Sequence, residues 1–206
     1  ITDKVAVDLF GTQVTTPNLA TEKGGQVTVN INTTVKNKGN AANVVLTHTV
    51  YEQGTKNSIG TVTTTATSVS GTKTIAATLK ANNPKLWDVE NPNLYDVVTE
   101  VKVGGKVVDT YTTEFGFRYM SMDTNTGFYL NGQKLKLKGV CMHHDQGSLG
   151  AEAHYAAIER QVEILKEMGC NSIRVTHNPA SNELIEIANE KGMLIIDEFF
   201  DGWMFS

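Results

Sequence analysis

Only two cysteines, Cys141 and Cys170, occur in 206 residues. Two are too few for a disulfide framework. Both lie in or beside apolar runs, where a buried free thiol is expected, and they leave the compartment open. Basic clusters are missing as well. A net charge of −4 without a lysine- or arginine-rich run argues against nucleic acid as the main partner. No stretch reaches about 18 consecutive apolar residues, so no membrane-spanning helix is expected. The opening "ITDKVAVDLF" has neither an initiator methionine nor a charged-then-apolar leader, which reads as a processed product or a piece of something longer. What the chain does have is a globular composition, 40% hydrophobic and 19% charged, enough for one large domain or two ordinary ones.

Up to about residue 120 the pattern has a period of two. "QVTVNINTTV" alternates Val27, Val29, Ile31, Thr33 and Val35 with polar neighbours, as a half-buried strand does. "NVVLTHTVYE", "TKTIAATL", "NLYDVVTEVKV" and "KVVDTYTTEF" repeat the style, separated by turn signals at "NKGN" (37–40), "SG" (70–71) and "VGGK" (103–106). Short alternating strands without helical periodicity predict an antiparallel sandwich of immunoglobulin type. Trp87, set between proline turns, is expected to cover the edge of that sandwich, with stacking on a sugar as the second reading.

After residue 125 the period changes. "GFYLNGQKLKLKG" predicts a hairpin turning at Asn131-Gly132. Ile158, Val162, Leu165 and Met168 recur at helical spacing and Gly169 ends that helix. The strand-like "SIRVTH" follows. A second helix after Pro179 carries Leu184, Ile187 and Ala188 and closes at Lys191-Gly192, and the apolar run "MLIID", a strand expected to be buried on both faces, completes the series. Strand, helix, strand, helix, strand is the grammar of a parallel sheet. Three apolar runs thus end in ionisable groups: "GVCMHHD", "SIRVTHNP" and "MLIIDEFFDGW". Ligands of parallel α/β folds bind at the carboxyl ends of the strands, so these groups should converge on one rim.

On that rim His143 and Asp145 alternate with His144 and should share a face. Arg174, inside an apolar run, needs a carboxylate partner on a neighbouring strand. His177 stands at the mouth. Asp197 and Glu198 should point to opposite sides, one inward and the other pairing with Arg174 or capping a helix. Phe199 and Trp203 offer an apolar wall for a sugar or a contribution to the core. Three functions fit such a rim. A metal centre would use His143, Asp145 and His177, but the first strand lacks the His-x-His that barrel metallohydrolases favour. A binding or adhesion module does not need so dense a polar rim. A carbohydrate-active enzyme does, with carboxylates as acid and base.

The ordered motifs "LWDVENPNLY", "TTEFGFRYM", "GFYLNGQKLKLKGVCMHHDQGSLG", "ERQVEILKEMGCNSIRVTHNP" and "GMLIIDEFFDGW" resemble glycoside hydrolase family 2, which includes β-galactosidases, β-glucuronidases and β-mannosidases. The likeness is strong from about residue 86 to 203 and weak over 1–80. It implies a multidomain β plus α/β architecture, with an immunoglobulin-like sandwich over 1–120 and the first βαβαβ portion of a TIM barrel over 121–206. It implies a retaining hydrolase of terminal β-glycosides whose substrate derives from an oligosaccharide or polysaccharide. The "GVCMHHDQGSLG" motif points first to a β-galactosidase, with β-glucuronidase, β-mannosidase or a non-catalytic carbohydrate-binding module as alternatives. His143, Asp145, Arg174 and His177 are the implied substrate-binding residues. No metal or other cofactor is implied, because "FFDGWMFS" lacks the Glu and His that hold magnesium in some members. The resemblance assigns the two catalytic glutamates to the fourth and seventh barrel strands. The 206 residues are therefore expected to be inactive alone, with an unpaired strand edge that favours self-association.

Overall fold

A computed structural model describes residues 2–22 and 25–201. The chain divides into two compact units: one contains the residues up to Lys85 together with Leu94–Phe117, the other Leu86–Asn93 together with the residues from Arg118 onward.

The first unit is all β: β1 (Val5–Thr15), β2 (Gln26–Glu52), β3 (Ser58–Asn82), β4 (Tyr95–Val103) and β5 (Lys106–Phe115), every pairing antiparallel. β2 and β3 are long because two of the turn signals do not break the chain. At 37–44 the β2–β3 register shifts, and buried Asn37 fills the irregularity. Its Nδ2 donates to the carbonyls of Asn40 and Val69, both at 2.8 Å, while its Oδ1 accepts from the Gly39 amide. On β3 the bend uses positive φ at Ser68 (51°) and Gly71 (63°). The first half of β2 thus pairs with β1 and the second half of β3, and its second half with β4 and the first half of β3. One core cluster draws on both halves, with Val35 and Ile75 meeting Val44, Leu46, Ala66 and Val101. The "VGGK" signal does make a tight turn, with Gly104 and Gly105 at φ 57° and 80° between β4 and β5.

The second unit begins with an antiparallel ribbon, β6 (Met120–Asp123), β7 (Gly127–Leu130) and β8 (Gln133–Lys134), turning at Asn131-Gly132 as the sequence predicts. β9 (Gly139–Met142), α1 (Tyr155–Glu167), β10 (Ser172–Val175), α2 (Asn182–Lys191) and β11 (Leu194–Ile196) follow, and the three strands pair in parallel in the order β11-β10-β9. Local chemistry fixes the helix ends. Ser181 Oγ accepts from the Leu184 amide at α2's start, and Gly192 at φ 71° ends it in the left-handed region. Ile158 and Val162 of α1 and Leu184, Ile187 and Ala188 of α2 bury against Ile173 and Val175. Each of the Ile, Val and Leu side chains among them contributes about 1.5–3 kcal/mol when fully buried.

Trp87 belongs to this second unit. It is 0% exposed. Its Nε1 donates to the Asn189 carbonyl of α2 at 2.7 Å, and the Arg118 guanidinium lies 4.3 Å from its ring centroid. Asn131 Nδ2 donates to its carbonyl, and Lys166 Nζ donates to Val89 O. Segment 86–93 therefore straps the carboxyl ends of α1 and α2. A ring without exposed surface is not available to stack on a sugar.

Candidate active site

In the parallel sheet, register decides which side chains meet. Ile173 aligns with Val140 and Ile195, and this row faces the helices. Arg174 aligns with Cys141 and Ile196 on the opposite face. That face carries no packed element among the described residues: Cys141 is exposed, Ile196 is 48% exposed and the Arg174 side chain 47%. Three expectations change as a result. Cys141 is free but not buried, "MLIID" is covered on one side only, and Arg174 is paired without being buried.

The pairing itself follows the sequence logic. Glu198, just past β11, takes Arg174 Nε on its Oε1 at 2.7 Å, with Nη2 on the same oxygen. Its Oε2 meets His177 Nδ1 at 2.9 Å. Arg174 first, with His177 adding to it, holds the Glu198 carboxyl below the usual carboxylate range, and Glu198 in turn raises Arg174. The His143 ring stands edge-on to His177, centroids 5.6 Å apart at 79°. His143, Arg174 and His177 are thereby brought together, and Glu198 is the group that joins the last two. Glu198 is not among the four residues that the family resemblance implies. The signal was there, since Arg174 required a carboxylate, but alternation alone does not choose between neighbours in "DE".

Asp145 does not join this cluster. β9 ends at Met142, so the alternation assumed for 143–145 stops before it can operate. The Asp145 amide donates to His143 O, and its Oδ1 accepts from the Gly147 amide at 2.8 Å, leading into a short 3-10 turn at Gly147–Leu149. Asp197 is also committed elsewhere, its Oδ1 accepting from the Ala180 amide at 2.8 Å and holding the entry to α2. Phe199 is 79% exposed beside Glu198, while Trp203 lies outside the described residues. Among the described residues no three His, Cys, Asp or Glu side chains converge as a metal-ligand set, and no helix is long and apolar enough to cross a membrane. A cavity of about 240 Å³ between β9 and α1 is lined by Val140, Met142, Gln161, Ile164 and Leu165, on the helix side of the sheet and without the rim residues.

An antiparallel sandwich running into a parallel βαβαβ with polar strand ends defines a modular protein with an α/β-barrel type of second domain. Comparison with known proteins makes this specific. The family description "Glycosyl hydrolases family 2" matches residues 10–118, and "Glycosyl hydrolases family 2, TIM barrel domain" matches residues 123–201. The chain belongs to glycosyl hydrolase family 2, and its fold is an immunoglobulin-like sandwich followed by the start of a TIM barrel. It is 38% identical over 203 residues to the β-galactosidase BoGH2A of Bacteroides ovatus, covering 98% of this chain and 24% of that protein. It is 34% identical over 117 residues to a β-glucuronidase of Bacteroides fragilis, covering 56% of this chain and 17% of that protein. Among solved structures, a family 2 member from Bacteroides cellulosilyticus superposes with TM-score 0.91 at 33% identity, covering all of this chain and 26% of the other. A Bacteroides uniformis β-glucuronidase superposes with TM-score 0.85 at 30% identity, covering 95% of this chain and 24% of the other. The chain thus spans about a quarter of the length of BoGH2A and of these two structures.

Proposed function

We propose that the chain forms part of a retaining hydrolase of terminal β-glycosides, whose sandwich domain ends at Phe117 and lends the 86–93 strap to the opening of the catalytic barrel that begins at Arg118. His143, Arg174 and His177 line the sugar pocket, and Asp145 shapes the loop at its mouth. The observation that carries this reading is the Arg174–Glu198–His177 cluster at the carboxyl ends of parallel strands, where barrel enzymes place their sites. Imidazole and guanidinium groups at such a rim suit the hydroxyl-rich surface of a sugar. A β-galactoside is the first substrate to try, because the relative aligned over 98% of the chain is called a β-galactosidase. A β-glucuronide is the second, supported by relatives of that name and by Arg174, a cation that could face a uronate.

Retention needs two carboxyl groups about 5–5.5 Å apart across the scissile bond, one as nucleophile and one as acid/base. Glu198 is held by two side chains, Asp145 by the Gly147 amide and Asp197 by the Ala180 amide. These three support the site, and the reacting pair comes from elsewhere in the full-length protein. The experiment incubates the 206-residue chain and the full-length protein with nitrophenyl β-galactoside, β-glucuronide and β-mannoside. Turnover of one glycoside by the full-length protein alone is expected. Turnover by the 206-residue chain that vanished in Asp145, Asp197 or Glu198 variants would overturn the assignment of these three to support.

A further inference from the structure

We infer that Glu198 is the positioning residue of this site, holding His177 with a proton on Nδ1 and locking it to Arg174 as one unit. The inference rests on the proposed glycosidase reading for its consequence, but not for its geometry.

The two carboxylate oxygens divide the task. Oε1 serves the guanidinium, through both Nε and Nη2, and Oε2 serves the imidazole. An ionised carboxylate can only accept hydrogen bonds, so the ring nitrogen facing it must carry a proton whether the ring is neutral or charged. In the neutral ring this puts the lone pair on Nε2. Arg174 shifts Glu198 further toward the ionised form. The fork also aims the guanidinium, whose Nη1 reaches only a weak contact at 3.9 Å with Cys141 Sγ. The adjacent acid serves a different group, Asp197 Oδ1 accepting from the Ala180 amide at 2.8 Å. His143 packs edge-on against the ring that Glu198 fixes, so the orientation passes to a third rim residue.

A purely structural role makes a different forecast. With Arg174 47% exposed, this would be an ordinary surface ion pair, and losing such a pair changes little. Positioning instead predicts a change in the imidazole itself. The experiment has two arms. In the 206-residue chain labelled with ¹⁵N histidine, long-range ¹H–¹⁵N correlations read which nitrogen of His177 is protonated. A protonated Nδ1 is expected in the wild type, with a shift toward the Nε2–H form that free imidazole prefers in Glu198→Leu. In the full-length protein, kcat/KM on whichever nitrophenyl glycoside is turned over is measured for Glu198→Gln, His177→Ala and the double variant. Glu198→Gln should lose on the order of 10-fold, the scale of a lost orienting partner. The double variant should lose clearly less than the product of the two single losses, because part of the Glu198 effect passes through His177 and the rest through Arg174. A neutral His177 protonated on Nε2 in the wild type would overturn the inference, even if no Glu198 variant folded. So would additive losses in the double variant. If the full-length protein turned over none of the glycosides, the glycosidase reading would fail while the tautomer measurement still decided the role of Glu198.

Discussion

The sandwich encloses its histidine among uncharged groups, whereas the parallel sheet ties its histidine to a carboxylate at an open face. His48, on β2, is 0% exposed. Its Nε2 pairs with Thr33 Oγ1 at 2.9 Å, and its Nδ1 has no hydrogen-bond partner among the described residues. Thr99 stands opposite it in the β2–β4 register, also buried and with its hydroxyl unpartnered. Burial alone pushes the His48 pKa down to about 4, so the ring is neutral. His177 is half-buried and bonded to an ionised Glu198. The difference comes from architecture. Bending β2 and β3 lets one unit close both sides of its core, whereas β9–β11 receive helices on one face and present Arg174, Cys141 and Ile196 on the other. Closed cores use polar groups sparingly and keep them neutral. Open strand ends gather charges that can meet a ligand.

The largest effect is expected at a fully buried side chain of the second unit. Trp87→Ala removes a fully buried indole and its bond to Asn189, and should destabilise the second unit by about 3–5 kcal/mol. Chemical denaturation followed by fluorescence and by helical dichroism would read it, and the sandwich should be affected least. The next effect is pH dependence in the sandwich. Because folding lowers the His48 pKa from 6.5 to about 4, the unfolded chain binds the proton first. Stability contributed by neutral His48 is therefore complete above about pH 6.5 and is lost as pH falls toward 4, roughly 3 kcal/mol over that window. Melting curves at pH 7.5 and 4.5 should separate in the wild type and move closer together in His48→Leu. Persistence of the full separation would remove His48 as its cause.

Smaller changes sharpen the α/β side. Gly192→Ala forces a side chain into positive φ, with its Cβ 2.5 Å from Val89 O, and should cost more than about 1 kcal/mol. Ser181→Ala removes the α2 cap and should cost about 1 kcal/mol. Thermal denaturation followed at a helical wavelength distinguishes both from the unaffected sandwich.

Much of this was legible in the residues. Period-two alternation found the strands, and Asn131-Gly132 and Gly104-Gly105 marked real turns because only positive φ closes them. Helix ends at Gly169 and Gly192 were legible for the same reason. The "NKGN" and "SG" signals misled because turn-forming residues also suit a bulge, and only the third dimension shows Asn37 satisfying the irregularity from within. Trp87 was misplaced because its partners, Arg118 and Asn189, lie 31 and 102 residues away in sequence. At the rim, apolar runs ending in charge located Arg174, His177 and His143. Glu198 sits in that cluster and Asp145 outside it, because a strand that ends at Met142 and a carboxylate shared by two partners leave no mark in local pattern.

If these strand ends bind the sugar at the reacting centre, as proposed, His177 is the side chain whose loss reports it. In the full-length protein, kcat/KM for the nitrophenyl glycoside it turns over should fall in His177→Ala by about 30- to 1,000-fold, or ~2–4 kcal/mol, the scale of a hydrogen bond that tightens in the transition state. A loss of less than about threefold, in a variant that melts like the wild type, would contradict the assignment.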